Sequence, residues 1–151
     1  MNFFNESLEI LLYKRNLLIQ VLTDYEFSEN SILNFLEAFD YFIVFPGKFD
    51  GATIVRDSYL IKELDLCAMV HDYMYVKYNL PVNFKHKIKA DIFYCKLLRK
   101  FNISWWSVWV VRFLGLLIST PFYGLYKKVK YNQTHSLQNS LEFNIYINKF
   151  S

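Results

Sequence analysis

The chain has few of the residues that break a fold into loops: four glycines and three prolines in 151 residues. That scarcity excludes a low-complexity linker, and no stretch repeats itself. Only two cysteines occur, and a chain of this length buries a core without covalent staples. The opening residues, Met1 to Glu6, have neither a basic n-region nor an apolar h-region. No secretory signal is expected there, which predicts maturation in a reducing cytoplasm. Acidic residues run out half-way. Up to Asp72 there are 12 acids against 5 bases; from Tyr73 onward there are 12 bases, and only Asp91 and Glu142 are acidic. A basic half of this kind is either a solvated face or a surface for anionic lipid, nucleic acid or an acidic protein.

What is present is apolar: 54% hydrophobic residues, with 15 phenylalanines and 12 tyrosines, too many for a disordered chain. Residues 8–22 set apolar runs around Lys14-Arg15-Asn16, a pattern suited to a β-hairpin and almost as well to a helix. Residues 31–39 repeat apolar side chains at 32, 35, 36 and 39, which predicts a short helix capped by Ser31 or Asn30. Aromatic and β-branched residues 41–45 predict a strand, ending at the turn signal Pro46-Gly47 and an irregular loop to residue 56. Long helices are expected over 61–78 and over 83–101, the second capped by Asn83. A third, very apolar stretch starts after Ser104, and residues 141–147 alternate as a strand would. The expected fold is a single α+β domain over residues 1–151, a small N-terminal β part followed by three helices. The first two of these are read as an antiparallel pair carrying His71 and Asp91.

Residues 103–125 are long enough to cross a bilayer and hold all three tryptophans. Arg112 falls near their centre, where a cation is costly in hydrocarbon. A buried or subunit-facing helix is therefore expected rather than a span.

The informative spacing lies between the two predicted long helices. Ala68, His71 and Tyr75 share one helical face, with Cys67 one turn before the histidine. Asp91 follows His71 by 20 positions, across a turn around Pro81. On antiparallel helices the two side chains are nearly level, at about 10 and 12 Å from the turn. Packed helices lie about 8–10 Å apart, a gap two inward side chains close. Asp91 stands alone among Lys85, Lys87, Lys89 and Lys96, so it is expected to have a fixed partner. A histidine oriented by a buried carboxylate is the core of a general-base site; the same groups with Tyr75 also suit a buried network that locks two helices together. No histidine precedes His71, which excludes the His-Asp metal-dependent phosphohydrolases.

The run A-x-x-H-D-x-x-Y at Ala68, His71, Asp72 and Tyr75, followed by Ala90-Asp91, resembles the phospholipase A2 motif, especially its short viral form. More of the chain is similar to a family of small tailed-phage proteins of unassigned function. The matching segments are Gly47-Lys48-Phe49-Asp50-Gly51-Ala52-Thr53-Ile54, the histidine helix, Ala90-Asp91-Ile92-Phe93-Tyr94, and Val111-Arg112-Phe113-Leu114-Gly115. The resemblance as a whole runs from about residue 41 to 126. The lipase resemblance implies catalytic roles. His71 would be the general base, Asp91 would orient it, and Tyr75 would hydrogen-bond Asp91. Asp72 would hold a calcium ion with help from loop carbonyls around Gly47 and Gly51, because calcium takes about six to eight oxygens. Lipase calcium loops are richer in glycine than residues 45–53, and Val55 stands where the phage family has proline. Secreted phospholipases A2 bridge the cysteine that corresponds to Cys67; free thiols are expected here.

Together these readings predict a virion protein on a phospholipase-A2-like scaffold, made in the host cytoplasm, with a structural or interaction role among other virion proteins. The alternative is a calcium-dependent phospholipase or esterase acting on host membrane lipid during entry. Anionic phospholipid and nucleic acid are the further partners that the basic half suggests.

Overall fold

The computed structural model describes residues 6–46, 63–78, 84–118 and 137–150. About 87% of these are helical, and no strand occurs among them. The helices are α1 (Leu8–Asp24), α2 (Glu29–Val44), α3 (Glu63–Tyr78), α4 (Phe84–Lys100), a π-helix (Trp106–Phe113) and α5 (Leu137–Asn148). The fold is all-α, which corrects the expected α+β class. The chain divides into two compact units, one of Met1–Tyr73 with Asn148–Ser151, the other of Met74–Ile147.

In the first unit α1 begins at Ser7, whose Oγ accepts from the Ile10 N–H at 3.4 Å, an N-cap that satisfies an otherwise orphaned donor. Its buried positions, Leu11, Lys14, Leu18 and Leu22, are spaced 3, 4 and 4 apart. That is a helical stripe, and it overrides the hairpin reading of 8–22. Lys14 enters this stripe because Glu6 pairs with its ammonium at 2.7 Å. The helix closes without glycine. Glu26 adopts a left-handed φ of 55°, the Glu26 N–H donates to Thr23 O at 2.9 Å and the Phe27 N–H to Leu22 O at 3.0 Å. This is a Schellman closure, with buried Leu22 and Phe27 as its apolar pair.

Helix α2 is capped at Ser28, whose Oγ accepts from the Ser31 N–H at 3.3 Å, rather than at Ser31 or Asn30. Phe35, Phe39 and Phe42 are fully buried along one face. The aromatic residues at 41–44 are therefore its last turn and not a strand; burial beats their β propensity. Arg15 on α1 forks onto Asp40 of α2, its Nε and Nη2 donating at 2.9 and 3.0 Å. Up to Tyr73, α3 is buried on most sides, at Leu66, Cys67, Ala68, Met69, Val70 and Tyr73, as suits a core helix. The Tyr73 hydroxyl donates to Glu37 Oε1 at 2.5 Å. Phe150 closes the same unit, its ring 5.6 Å from that of Phe35 and its carbonyl accepting from Ser31 Oγ at 3.4 Å.

The second unit is built on α4. Its buried residues Lys87, Asp91, Tyr94, Cys95 and Leu98 recur at helical spacing, and the π-helix packs against it. A second glycine-free Schellman closure ends α4. Asn102 has a φ of 60°, its N–H donates to Arg99 O at 3.0 Å and the Ile103 N–H to Leu98 O at 3.1 Å. The tail read as a strand is helix α5: Phe143 and Tyr146, three apart, are both buried. Their rings lie 5.7 and 6.0 Å from that of Tyr78. Alternation along the tail is outweighed by that spacing, which places both rings on one helical face.

Candidate functional site

Helix α4 carries Lys87 and Asp91 one turn apart, so their side chains meet on one face. Lys87 Nζ donates to Asp91 Oδ2 at 2.6 Å. The other carboxylate oxygen, Oδ1, accepts from the Tyr75 hydroxyl at 2.5 Å. Lys87 and Asp91 are only 4% and 2% exposed, and Tyr75 is buried as well. The ammonium also lies 3.4 Å from Leu116 O and 5.9 Å from the Tyr75 ring centroid. A cation and an anion taken out of water together survive only when paired and hydrogen-bonded. Here the carboxylate has both a counter-ion and a hydroxyl donor, and the hydrogen bond from Tyr75 ties α3 to α4.

The expected fixed partner of Asp91 thus includes Lys87, a residue outside the sequence-predicted set. The signal was in the register. Of the four lysines around Asp91, only Lys87 precedes it by one full helical turn.

The other predicted residues fall as follows. Tyr75 and Asp91 are brought together. His71 belongs to the first unit, where its Nδ1 is 3.7 Å from Oδ1 of the adjacent Asp72. Asp72 Oδ2 is buried with no hydrogen-bond partner among the described residues. Gly47 and Gly51, with the loop expected to help hold calcium, lie outside the described residues, as does Asn83. Among the described residues no three His, Cys, Asp or Glu side chains cluster as a metal site. Asp72 alone supplies a small part of what calcium requires.

Both cysteines are free and buried. Cys95 Sγ lies 3.9 Å from Val108 O. Burial pushes its thiol from the ordinary 9.0 up to about 11; the Asp91 carboxylate adds to this and Arg112 opposes it. Such a thiol is a packing group at neutral pH and not a nucleophile. Arg112, the cation that argued against a membrane span, donates from Nη1 to Tyr94 Oη at 3.2 Å. Among the described residues no helix is long and apolar enough to cross a membrane.

No protein-family model, curated protein or solved structure matches this chain.

Proposed function

We propose that this chain is a structural or interaction component of a viral particle of the tailed-phage type, made in the host cytoplasm and docked among other virion proteins. In this reading the phospholipase-A2-like helices serve as scaffold. The observation that carries it is the ammonium of Lys87 at 2.6 Å from Asp91. A carboxylate assists a general-base histidine by holding the imidazole and stabilising its protonated form. A lysine on that carboxylate cancels much of the field the imidazolium would use. What remains is a buried three-residue clamp, useful for locking helices and poor at activating water.

One observation favours a second reading, a calcium-dependent phospholipase. The buried Oδ2 of Asp72, which has no hydrogen-bond partner among the described residues, is a carboxylate oxygen that a cation would satisfy. His71 would then be the base, Asp91 and Tyr75 its support, and carbonyls near Gly47 and Gly51 the remaining calcium ligands. Two measurements separate the readings. The structural role expects the chain in purified, dissociated particles at a fixed stoichiometry, and no release of fatty acid from phospholipid by the purified protein with calcium or with chelator. Calcium-dependent hydrolysis that His71→Asn abolishes would overturn it in favour of the enzyme.

A further inference from the structure

The segment 105–118 has two faces of unequal fate. Val108 is fully buried, and Arg112, four residues on, turns inward to Tyr94 with its Nε also buried. The Leu116 carbonyl, four further, lies 3.4 Å from Lys87. That is the face laid on α4. The opposite face carries Trp106, Val111, Leu114 and Ile118, which are 45–70% exposed. An i, i+5 step is about one turn of a π-helix, so Trp106 and Val111 align. The α-helical steps of three and four that follow keep Leu114 and Ile118 on the same side. Gly115 falls within this stripe, and a Cβ added there would meet nothing within 4 Å. From 105 to 118 the only ionisable side chain is the inward-turned Arg112. The outer face is therefore apolar and open, where a helix facing water carries polar residues.

We infer that this face docks onto an anionic lipid bilayer surface, lying in the interface and not crossing it. Charge complementarity selects this occupant. Residues 74–147 hold 11 lysines and arginines against two acids, and one of those acids is already paired with Lys87. Lys96, Arg99 and Lys100 are exposed on the last turns of α4. Arg99 Nη1 donates to Ile103 O at 2.5 Å, which puts its guanidinium at the entry to the tryptophan helix. Cations beside an apolar, tryptophan-bearing helical face are the makings of an interfacial helix. A second copy would bring two strongly cationic units together, and a nucleic acid backbone would gain nothing from the apolar stripe. The inference stands whether or not His71 and Asp91 catalyse any reaction.

The test uses the full chain with vesicles of phosphatidylcholine alone and of phosphatidylcholine mixed with phosphatidylglycerol. All three tryptophans lie between 105 and 109, so their fluorescence reports on this helix. Binding is expected to the anionic vesicles, with a blue shift and quenching by brominated acyl chains. It should weaken as salt brings the Debye length to about 8 Å. Gly115→Glu puts an anion in the middle of the face without touching the core and should weaken binding about fivefold or more; Gly115→Ala should not. Wild-type protein that ignores both vesicles, or binds without quenching, would overturn the inference, as would undiminished binding by folded Gly115→Glu. Dimerisation that buries the tryptophans would assign the face to a second copy instead.

Discussion

Replacing Lys87 by methionine keeps most of the apolar stem of the side chain and removes its ammonium, both the charge and the hydrogen bonds it donates. Asp91, 2% exposed, keeps the Tyr75 hydroxyl and loses the ammonium at 2.6 Å. Removing one partner of a buried ion pair costs about 3–5 kcal/mol. An independent bound comes from protonation, because the variant can always escape the buried charge by taking up a proton. For a carboxylate of ordinary pKa about 3.9, that escape costs about 1.4 kcal/mol per pH unit above it, hence about 4 kcal/mol at pH 7 and about 1.5 at pH 5. The folded variant then holds a proton that the unfolded chain releases, so its stability falls as pH rises from 5 to 7. Urea unfolding followed by tryptophan fluorescence reads the unit that contains the pair, since Trp105, Trp106 and Trp109 all belong to it. The expected result is a loss near 4 kcal/mol at pH 7, shrinking at pH 5, and largely recovered in Lys87→Met/Asp91→Leu. A loss below about 1 kcal/mol, as for a surface pair, or one identical at both pH values, would refute the reasoning.

The fork between Arg15 and Asp40 is a useful contrast: its side chains are 31% and 48% exposed, so Arg15→Ala should cost at most about 1 kcal/mol and less in high salt, measured by urea unfolding followed by circular dichroism because the unit that holds this pair has no tryptophan. Glu26 holds a left-handed φ of 55°, a conformation that disfavours any residue with a Cβ; Glu26→Gly should raise the urea midpoint by about 0.5–1 kcal/mol of stability, and a lowered midpoint would contradict it. Cys95, with its thiol pushed up to about 11, should resist iodoacetamide at pH 8 until urea unfolds the chain. Rapid labelling of Cys95 in native protein would show the thiol to be exposed.

The long helices on either side of Pro81 were legible because their boundaries carry ordinary signals: the expected spans 61–78 and 83–101 fall within two residues of α3 and α4. The N-terminal part was misread for two physical reasons. The Schellman closure of α1 uses Glu26 in place of glycine, so the usual sign of a helix end is missing there. The aromatic, β-branched run at 41–44 owes its helical state to phenylalanines spaced along α2, which burial rewards more than local propensity. At the site, the link from Tyr75 to Asp91 follows from reading two helices, whereas Lys87 becomes visible only when the register within α4 is followed from the lone acid backward.

The position of Phe150 bears on how the chain comes to be folded at all. The hydrogen bond from Ser31 to Phe150 joins residues 119 positions apart, and the ring of Phe150 closes on Phe35 from almost as far along the chain. Contacts of such separation are slow to form, since the intervening loop must be ordered first. During synthesis α1 and α2 leave the ribosome long before the residue that completes their unit. Through that interval the Phe35 side of the core waits for its last ring, and a chain cut short before residue 148 never receives it.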